Sequence, residues 1–356
     1  MKIIQLVTQM EAGGAQRVAI LLAEGLQERG YETEVWFLYL KRPTHINFPG
    51  VRVLLDHKPS RLDYLKIANK LWQSLHSHKP EVLITHTHYA NILGQVGARL
   101  CSIPKRIAVQ HNPLLTYPKL ANLVDRGLGT LAFYSTNVAV SQAVVDSMSE
   151  YPASYKRTLT KIYNGIPKLA VENCTKDVRA DWNLPENAPL LLNVGRLARQ
   201  KNQAILLEAL LHLPEAHLLL VGEGELRAFL QNKVAELQLE KRVHFLGELE
   251  SQDVLAVLSI SDVFVFPSLF EAMPMAVVEA MGLGLPVVAG DIPALRELLG
   301  DAGIFVPSES AEEIARAVRQ VLDSSALTSR IRQRSLERAR VFSLQKMVDS
   351  YEALFI

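Results

Sequence analysis

The chain has 356 residues, long for one compact domain and natural for two, and its 49% apolar and 21% charged residues are those of a globular protein with real cores. No 18-residue apolar run occurs, so no transmembrane helix is expected. The two cysteines, Cys101 and Cys174, lack metal-site or redox spacing, which argues against a disulfide scaffold and fits a reducing, cytoplasmic compartment. The net charge of +1 conceals an asymmetry: residues 1–170 carry 20 Lys and Arg against 11 Asp and Glu, the remainder 18 against 26. A basic first half points to an anionic partner, such as a membrane surface or a phosphorylated acceptor, the plain alternative being chance scatter over solvated faces.

The N-terminal MKIIQLVTQMEAGG reads as a buried first strand rather than a signal peptide, its apolar run being too short. Short apolar strands follow at 3–7, 33–39, 51–55, 81–85, 106–110 and 137–140, then at 190–194, 217–221, 243–247, 262–266, 286–290 and 303–306. Helical patterns separate most of them. In AQRVAILLAEGLQERG, Val18, Leu21, Leu22 and Leu26 share a face and Gly30 supplies a stop. Near-continuous apolar strands alternating with helices predict parallel sheets covered on both sides, hence an α/β protein of two doubly wound domains. The boundary falls after YNGIP (163–167), where a polar, irregular stretch at 168–188 precedes the restart at Leu190. SLQKMVDSYEALF (343–355) reads as a late amphipathic helix. Ligands of such folds sit at the carboxyl ends of the strands.

Two glutamates, Glu271 and Glu279, interrupt the apolar stretch FEAMPMAVVEAM (270–281). Glu271 falls in the loop after the strand DVFVF. Pro274 suits the first turn of a helix that stops at Gly282 and contains Glu279. A helix N-terminus suits phosphate, and ionised carboxylates suit paired hydroxyls. The combination suggests a sugar nucleotide. The structural alternative is that Glu271 caps the helix and Glu279 pairs with a basic residue. In LLLNVGRLARQKN (190–202), Arg196 and Lys201 stand just beyond a strand of the same sheet, as a phosphate fork and a point charge or as a solvated basic loop. Gly13–Gly14 follows the first strand, where glycine lets a backbone approach a ligand or simply makes a turn. His111 follows the strand RIAVQ, and His86 and His88 lie at another strand end; no third ligand makes them a zinc site. Ser141 reads as an N-cap or an acceptor contact.

NVGRLARQKN, LLLVGEGELR (218–227), VHFLGELE (243–250) and PSLFEAMPMAVVEAMGLGLPVVAGDIPALREL (267–298), with EAGGAQRVAILLAEGL (11–26), HTHYANILG (86–94), QHN (110–112), VAVSQAV (138–144) and YNGIP in the first half, resemble the family-4 retaining glycosyltransferases of the GT-B fold, across essentially the whole chain. Glu271 and Glu279 match that family's E-x7-E motif. The resemblance implies an acceptor-binding Rossmann-like domain over 1–168, a nucleotide-sugar-binding one over 169–340, a cleft between them, and a C-terminal helix (341–356) crossing back to the first. It implies that Glu279 binds ribose hydroxyls, Glu271 hydroxyls of the transferred sugar, and Arg196 and Lys201 the diphosphate as it leaves. Backbone around Ala272, Met273, Pro274 and Met275 would line the phosphate and sugar pocket. Gly13 and Gly14 would lie beside the diphosphate, and His111 would reach the transferred sugar. Ala272 departs from the family's usual glycine and leaves the fine donor specificity open.

The function so implied is retaining transfer of a hexose, glucose first, from a nucleotide diphosphate sugar, UDP first, to a hydroxyl of a glycan or lipid-linked saccharide in polysaccharide biosynthesis. Arg196, Lys201, Glu271 and His111 are the catalytic candidates. The chain contains no D-x-D triplet, so neither metal nor cofactor is expected, and nucleic acid is not expected as a partner. A GDP-mannose-dependent mannosyltransferase, a silent sugar-nucleotide-binding subunit and a GT-B epimerase are the alternatives. A nicotinamide dehydrogenase is disfavoured because G-x-G-x-x-G is absent. The apolar pattern of YPKLANLVDRGLGTLAF (117–133) in the basic half suits peripheral contact with anionic membrane, on the inner face of the cytoplasmic membrane.

Overall fold

A computed structural model describes residues 1–44, 48–169 and 178–356. The chain divides into two compact units, Met1–Pro167 with Ser343–Ile356, and Lys168–Phe342. Cys174 lies outside the described residues.

Unit 1 runs β1 (Lys2–Met10), α1 (Gly14–Glu28), β2 (Glu32–Leu40), β3 (Val51–Val53), α2 (Asp63–His78), β4 (Val82–His86), α3 (His88–Leu100), β5 (Lys105–Gln110), α4 (Lys119–Thr130), β6 (Thr136–Ala139), α5 (Gln142–Ser147), α6 (Ala153–Lys156) and β7 (Leu159–Lys161). Its strands form one parallel sheet in the order β3-β2-β1-β4-β5-β6-β7. The chain winds outward from β1 through β2 and β3, then restarts at β4 beside β1 and winds the other way. β1 and β4 are therefore the switch point, where the crossovers diverge and leave a crevice at the carboxyl edge. One core packs Trp36, Leu38 and Leu6 with α2 and α3; another packs Val35, Phe37 and Val7 with α1. Val18, Leu21, Leu22 and Leu26 of α1 are all buried, as their helical spacing requires.

Unit 2 runs α7 (Val178–Asp181), β8 (Leu190–Val194), α8 (Gln203–Leu211), β9 (His217–Val221), α9 (Arg227–Glu236), β10 (Val243–Gly247), α10 (Ser251–Ile260), β11 (Val263–Phe266), α11 (Met275–Gly282), β12 (Val287–Gly290), α12 (Pro293–Leu299), β13 (Gly303–Val306), α13 (Ala311–Asp323) and α14 (Ser325–Ala339). Its parallel sheet has the order β10-β9-β8-β11-β12-β13, so the switch point lies between β8 and β11. Leucines of β8 and β9 pack with α8 and α13 into one core.

The last helix, α15 (Leu344–Glu352), belongs to unit 1. Ile166 and Ser343 form an isolated parallel bridge, and the Leu344 N–H donates to the Ile166 carbonyl at 2.7 Å. A Cβ on Gly25 of α1 would come within 2.5 Å of Val348 Cγ2, so the glycine lets the two helices touch. Arg29 pairs with Asp349 and Glu352, and the Tyr31 hydroxyl donates to Glu352 at 2.6 Å.

The short strand β7 and the single turn α7 escape the sequence reading. β7 is only three residues, LTK, and none of them is buried, so it carries no apolar run. Pro274 is a correction: it stands before α11, with ψ 113, instead of inside its first turn. Its carbonyl begins the helix by accepting from the Val277 N–H at 3.2 Å.

Candidate active site

The carboxyl ends of β8 and β11 hold the polar groups of unit 2. After Val194 the chain bends through Gly195 and Arg196 into a 3-10 turn at Arg199–Lys201. Neighbouring loops brace the bend: the Gly195 N–H donates to the Val221 carbonyl at 2.9 Å and the Leu197 N–H to the Glu223 carbonyl at 3.0 Å. Gly222, with φ +126, allows this approach, since a Cβ there would meet the Gly195 carbonyl oxygen at 2.2 Å. Asn202 takes left-handed torsions (φ 54, ψ 38) and its side chain donates to the Ser308 carbonyl at 2.7 Å. The Leu269 N–H donates to the Gln200 carbonyl at 2.9 Å, and Gln200 Nε2 to the Phe270 carbonyl at 2.8 Å. The loop after β8 is thus stitched to the loop after β11.

That stitching brings Lys201 and Glu271 together. Lys201 Nζ lies 2.6 Å from Glu271 Oε1, with side chains 16% and 7% exposed, and 4.7 Å above the Phe266 ring. A buried carboxylate is tolerated when paired, and the lysine has both a counter-ion and a π-face. Glu271 does not cap α11, which has no side-chain cap. Arg196 stands exposed on the same loop. Glu279 is buried in the second turn of α11, 1% exposed. Ala272, Met273, Pro274 and Met275 are all buried between Glu271 and the body of that helix. Ala272 is not among the residues of positive φ, so the backbone there does not require glycine. The α11 N-terminus directs its first N–H groups out of the helix.

His111 and the glycine pair belong to unit 1. Gly13 precedes α1 with φ −176, extended backbone that any residue adopts, so torsion does not demand a glycine there. Gly13 and Gly14 are exposed. At the switch point, His86 ends β4 and His111 follows β5. His86 Nδ1 and His111 Nε2 are 2.9 Å apart, and His86 Nε2 is 2.6 Å from Gln5 Oε1 of β1. Burial, with His111 alongside, pushes the His86 pKa well below the ordinary value, and burial lowers that of His111 to about 4. Both rings are neutral near pH 7. His88 stacks on Tyr117 at 4.3 Å between centroids. Between His86 and His88, Thr87 has φ +74, a strained setting for a β-branched residue, and its hydroxyl lies 2.6 Å from that of Thr8. Ser141 is the N-cap of α5, accepting from the Val144 N–H at 3.4 Å. Among the described residues no three His, Cys, Asp or Glu side chains gather to hold a metal ion.

Gln5 and Gln200 escape the sequence reading. Gln5 left a signal, a polar residue inside the apolar run IIQLV. Gln200 left none, because only its backbone and amide contacts reveal its role.

The glycosyl transferases group 1 family model matches residues 175–338, and the glycosyltransferase family 4 model matches residues 12–168. Together they cover every strand of both sheets except β1. The chain is a family-4 glycosyltransferase. The UDP-Gal:alpha-D-GlcNAc-diphosphoundecaprenol alpha-1,3-galactosyltransferase of Escherichia coli is 27% identical to this glycosyltransferase over 82% of its chain and 79% of the relative's. The lipopolysaccharide core biosynthesis glycosyltransferase LpsE of Rhizobium meliloti (strain 1021) is 26% identical over 95% and 94%. The crystal structure of Anabaena HepE in complex with UDP and glucose superposes with a TM-score of 0.86 at 22% identity, covering 99% of this chain and 98% of that one. The doubly wound pair of sheets is the GT-B fold.

Proposed function

We propose that this family-4 glycosyltransferase moves a hexose from a nucleotide diphosphate sugar to a hydroxyl of a glycan or lipid-linked saccharide, with retained configuration and without a metal ion. The observation that carries the donor assignment is the Lys201–Glu271 pair at the switch point of unit 2, beside the exposed Arg196. Arg196 and Lys201 supply cationic donors for the diphosphate, and α11 adds its N-terminal dipole. Glu271 and Glu279 supply acceptors for hydroxyls of the sugar and the ribose. UDP is the first donor base and glucose the first sugar. The names of the Escherichia coli relative and of the HepE complex support a uridine nucleotide.

In the proposed reaction the bond from the anomeric carbon to the diphosphate breaks, and a bond from that carbon to the acceptor oxygen forms on the same face. The leaving phosphate oxygen takes the acceptor's proton. Glu271, held by Lys201, serves in binding and is not a nucleophile. Preorganised positive charge at the leaving group is the main source of acceleration.

The acceptor surface is proposed on unit 1. α3 packs between α2 and α4. This layer exposes Leu65, Trp72, Leu120, Leu123 and Val124, with Lys66, Lys70, Lys119 and Arg126 exposed among them. Exposed apolar side chains on helices that also expose cations, Lys66 among them though paired with Asp63, fit an anionic lipid surface, where a lipid-linked acceptor would reside.

A donor screen tests the central reading. UDP-glucose, UDP-galactose, UDP-N-acetylglucosamine and GDP-mannose are supplied without metal, and release of free nucleotide is followed for wild type, Glu271→Ala and Arg196→Ala. Release from one donor, reduced roughly 100-fold or more in both variants, is expected. Folded protein that binds none of the four, or variants as active as wild type, overturns the assignment.

A further inference from the structure

Gln5 lies in the middle of β1, Gln5 and His86 are both fully buried, and His111 retains 8% exposure at the carboxyl edge of the sheet. A polar side chain in an apolar strand is costly unless bonded; the Nε2 of Gln5 is buried without a hydrogen-bond partner among the described residues, so its amide oxygen makes the one contact that bears on the histidines. Its amide oxygen lies 2.6 Å from His86 Nε2. An amide oxygen only accepts, so His86 Nε2 carries a hydrogen. A neutral imidazole has one ring N–H, and His86 therefore presents a lone pair at Nδ1. That lone pair faces His111 Nε2 at 2.9 Å, so His111 Nε2 is the donor. His111 is neutral as well, and its remaining nitrogen, Nδ1, is left with a lone pair. The order of donors is set from the buried end of the chain to its open end.

We propose that Gln5 and His86 are positioning residues that hold His111 as its Nε2–H tautomer, so that His111 Nδ1 accepts a hydrogen bond from a hydroxyl of the sugar substrate. The inference rests on the transferase reading above. It also sets a selectivity: the group meeting His111 must be a donor, and a carboxylate or ether oxygen at that place is rejected. A reversed Gln5 amide would reverse every donor in the chain and present an N–H at His111 instead.

The test is a long-range proton–nitrogen correlation of the histidine rings in uniformly 15N-labelled full-length protein at pH 7, with His86→Gln and His111→Gln used for assignment. Wild type is expected to show His86 and His111 each protonated at Nε2 and bare at Nδ1. Gln5→Met, close in volume, is expected to give His111 as a mixture of tautomers and to raise KM for the sugar-bearing substrate roughly 5-fold, the value of one hydrogen bond. A protonated His111 Nδ1 in wild type, or an unchanged His111 pattern in Gln5→Met, overturns the proposal. The wild-type spectrum decides the tautomer even if the variant does not fold. Failure of the transferase reading is distinguishable, because it would leave this pattern intact in a protein that turns over no donor.

Discussion

Lys201 is surrounded by an ion pair and an aromatic face, and its removal leaves Glu271 as a carboxylate 7% exposed without its cation. Lys201→Ala is expected to cost about 3 kcal/mol of stability in urea unfolding, because breaking a buried pair is far worse than never having made it. Lys201→Ala with Glu271→Gln should recover part of that loss, while donor turnover stays abolished. The buried histidines carry a second residue-scale prediction. His111 has a folded pKa of about 4 against an ordinary value of 6.5. Between those values the unfolded chain binds a proton that the folded chain does not, so stability rises with pH across this window. Lowering the pH from 6.5 to about 4 should remove on the order of 3 kcal/mol through His111 alone, read as a falling urea midpoint. His111→Gln should flatten that slope. Glu271, Glu279, Arg196 and Lys201 stood out in the sequence because charge in an apolar run, or just past one, is conspicuous. The Lys201–Glu271 contact did not, since the two are 70 residues apart in the chain.

At the scale of elements, the return of α15 to unit 1 rests on a backbone contact that only glycine permits. A Cβ on Gly165 would lie 2.5 Å from the Ser343 carbonyl oxygen and 2.8 Å from Leu344 N, and neither backbone atom can swing aside as a flexible side chain would. Gly165→Ala is therefore expected to destabilise unit 1 by about 2 kcal/mol and to make Ser343–Ile356 more accessible to limited proteolysis; an unchanged digestion pattern would count against this account. Most strands were legible because each is a largely apolar run, fully or nearly fully buried in β1, β4, β8, β9, β11 and β12, whereas β7 is not. α11 was legible in type but shifted at its start. Proline favours the first turn of a helix, but here the backbone torsions of Pro274 put it one position earlier, and only the structure supplies those.

For the whole molecule, the two sheets and their switch points place His86 and His111 at one carboxyl edge, with Gln5 inside β1 behind them, and Arg196, Lys201 and Glu271 at another. The α2–α3–α4 layer gives the prediction at this scale. The protein should sediment with vesicles containing anionic phospholipid, weakly and less so as salt is raised. Leu120→Glu with Leu123→Glu should abolish the binding while nucleotide release from the donor is retained. Equal partitioning onto neutral vesicles would remove the electrostatic part of the argument.

By itself the sequence determined the α/β class, two doubly wound domains, the positions of the long strands along the chain and the residues that carry charge at their ends. These follow from local periodicity and from side-chain chemistry that does not depend on distant partners. The pairing of Lys201 with Glu271, the Gln5–His86–His111 chain and the joining of α2, α3 and α4 in one layer were decided by tertiary structure alone, whereas the return of the last helix to unit 1 was already implied by the family resemblance. Each depends on which residues the crossovers bring together, and that neighbourhood is set by packing between segments far apart in the chain.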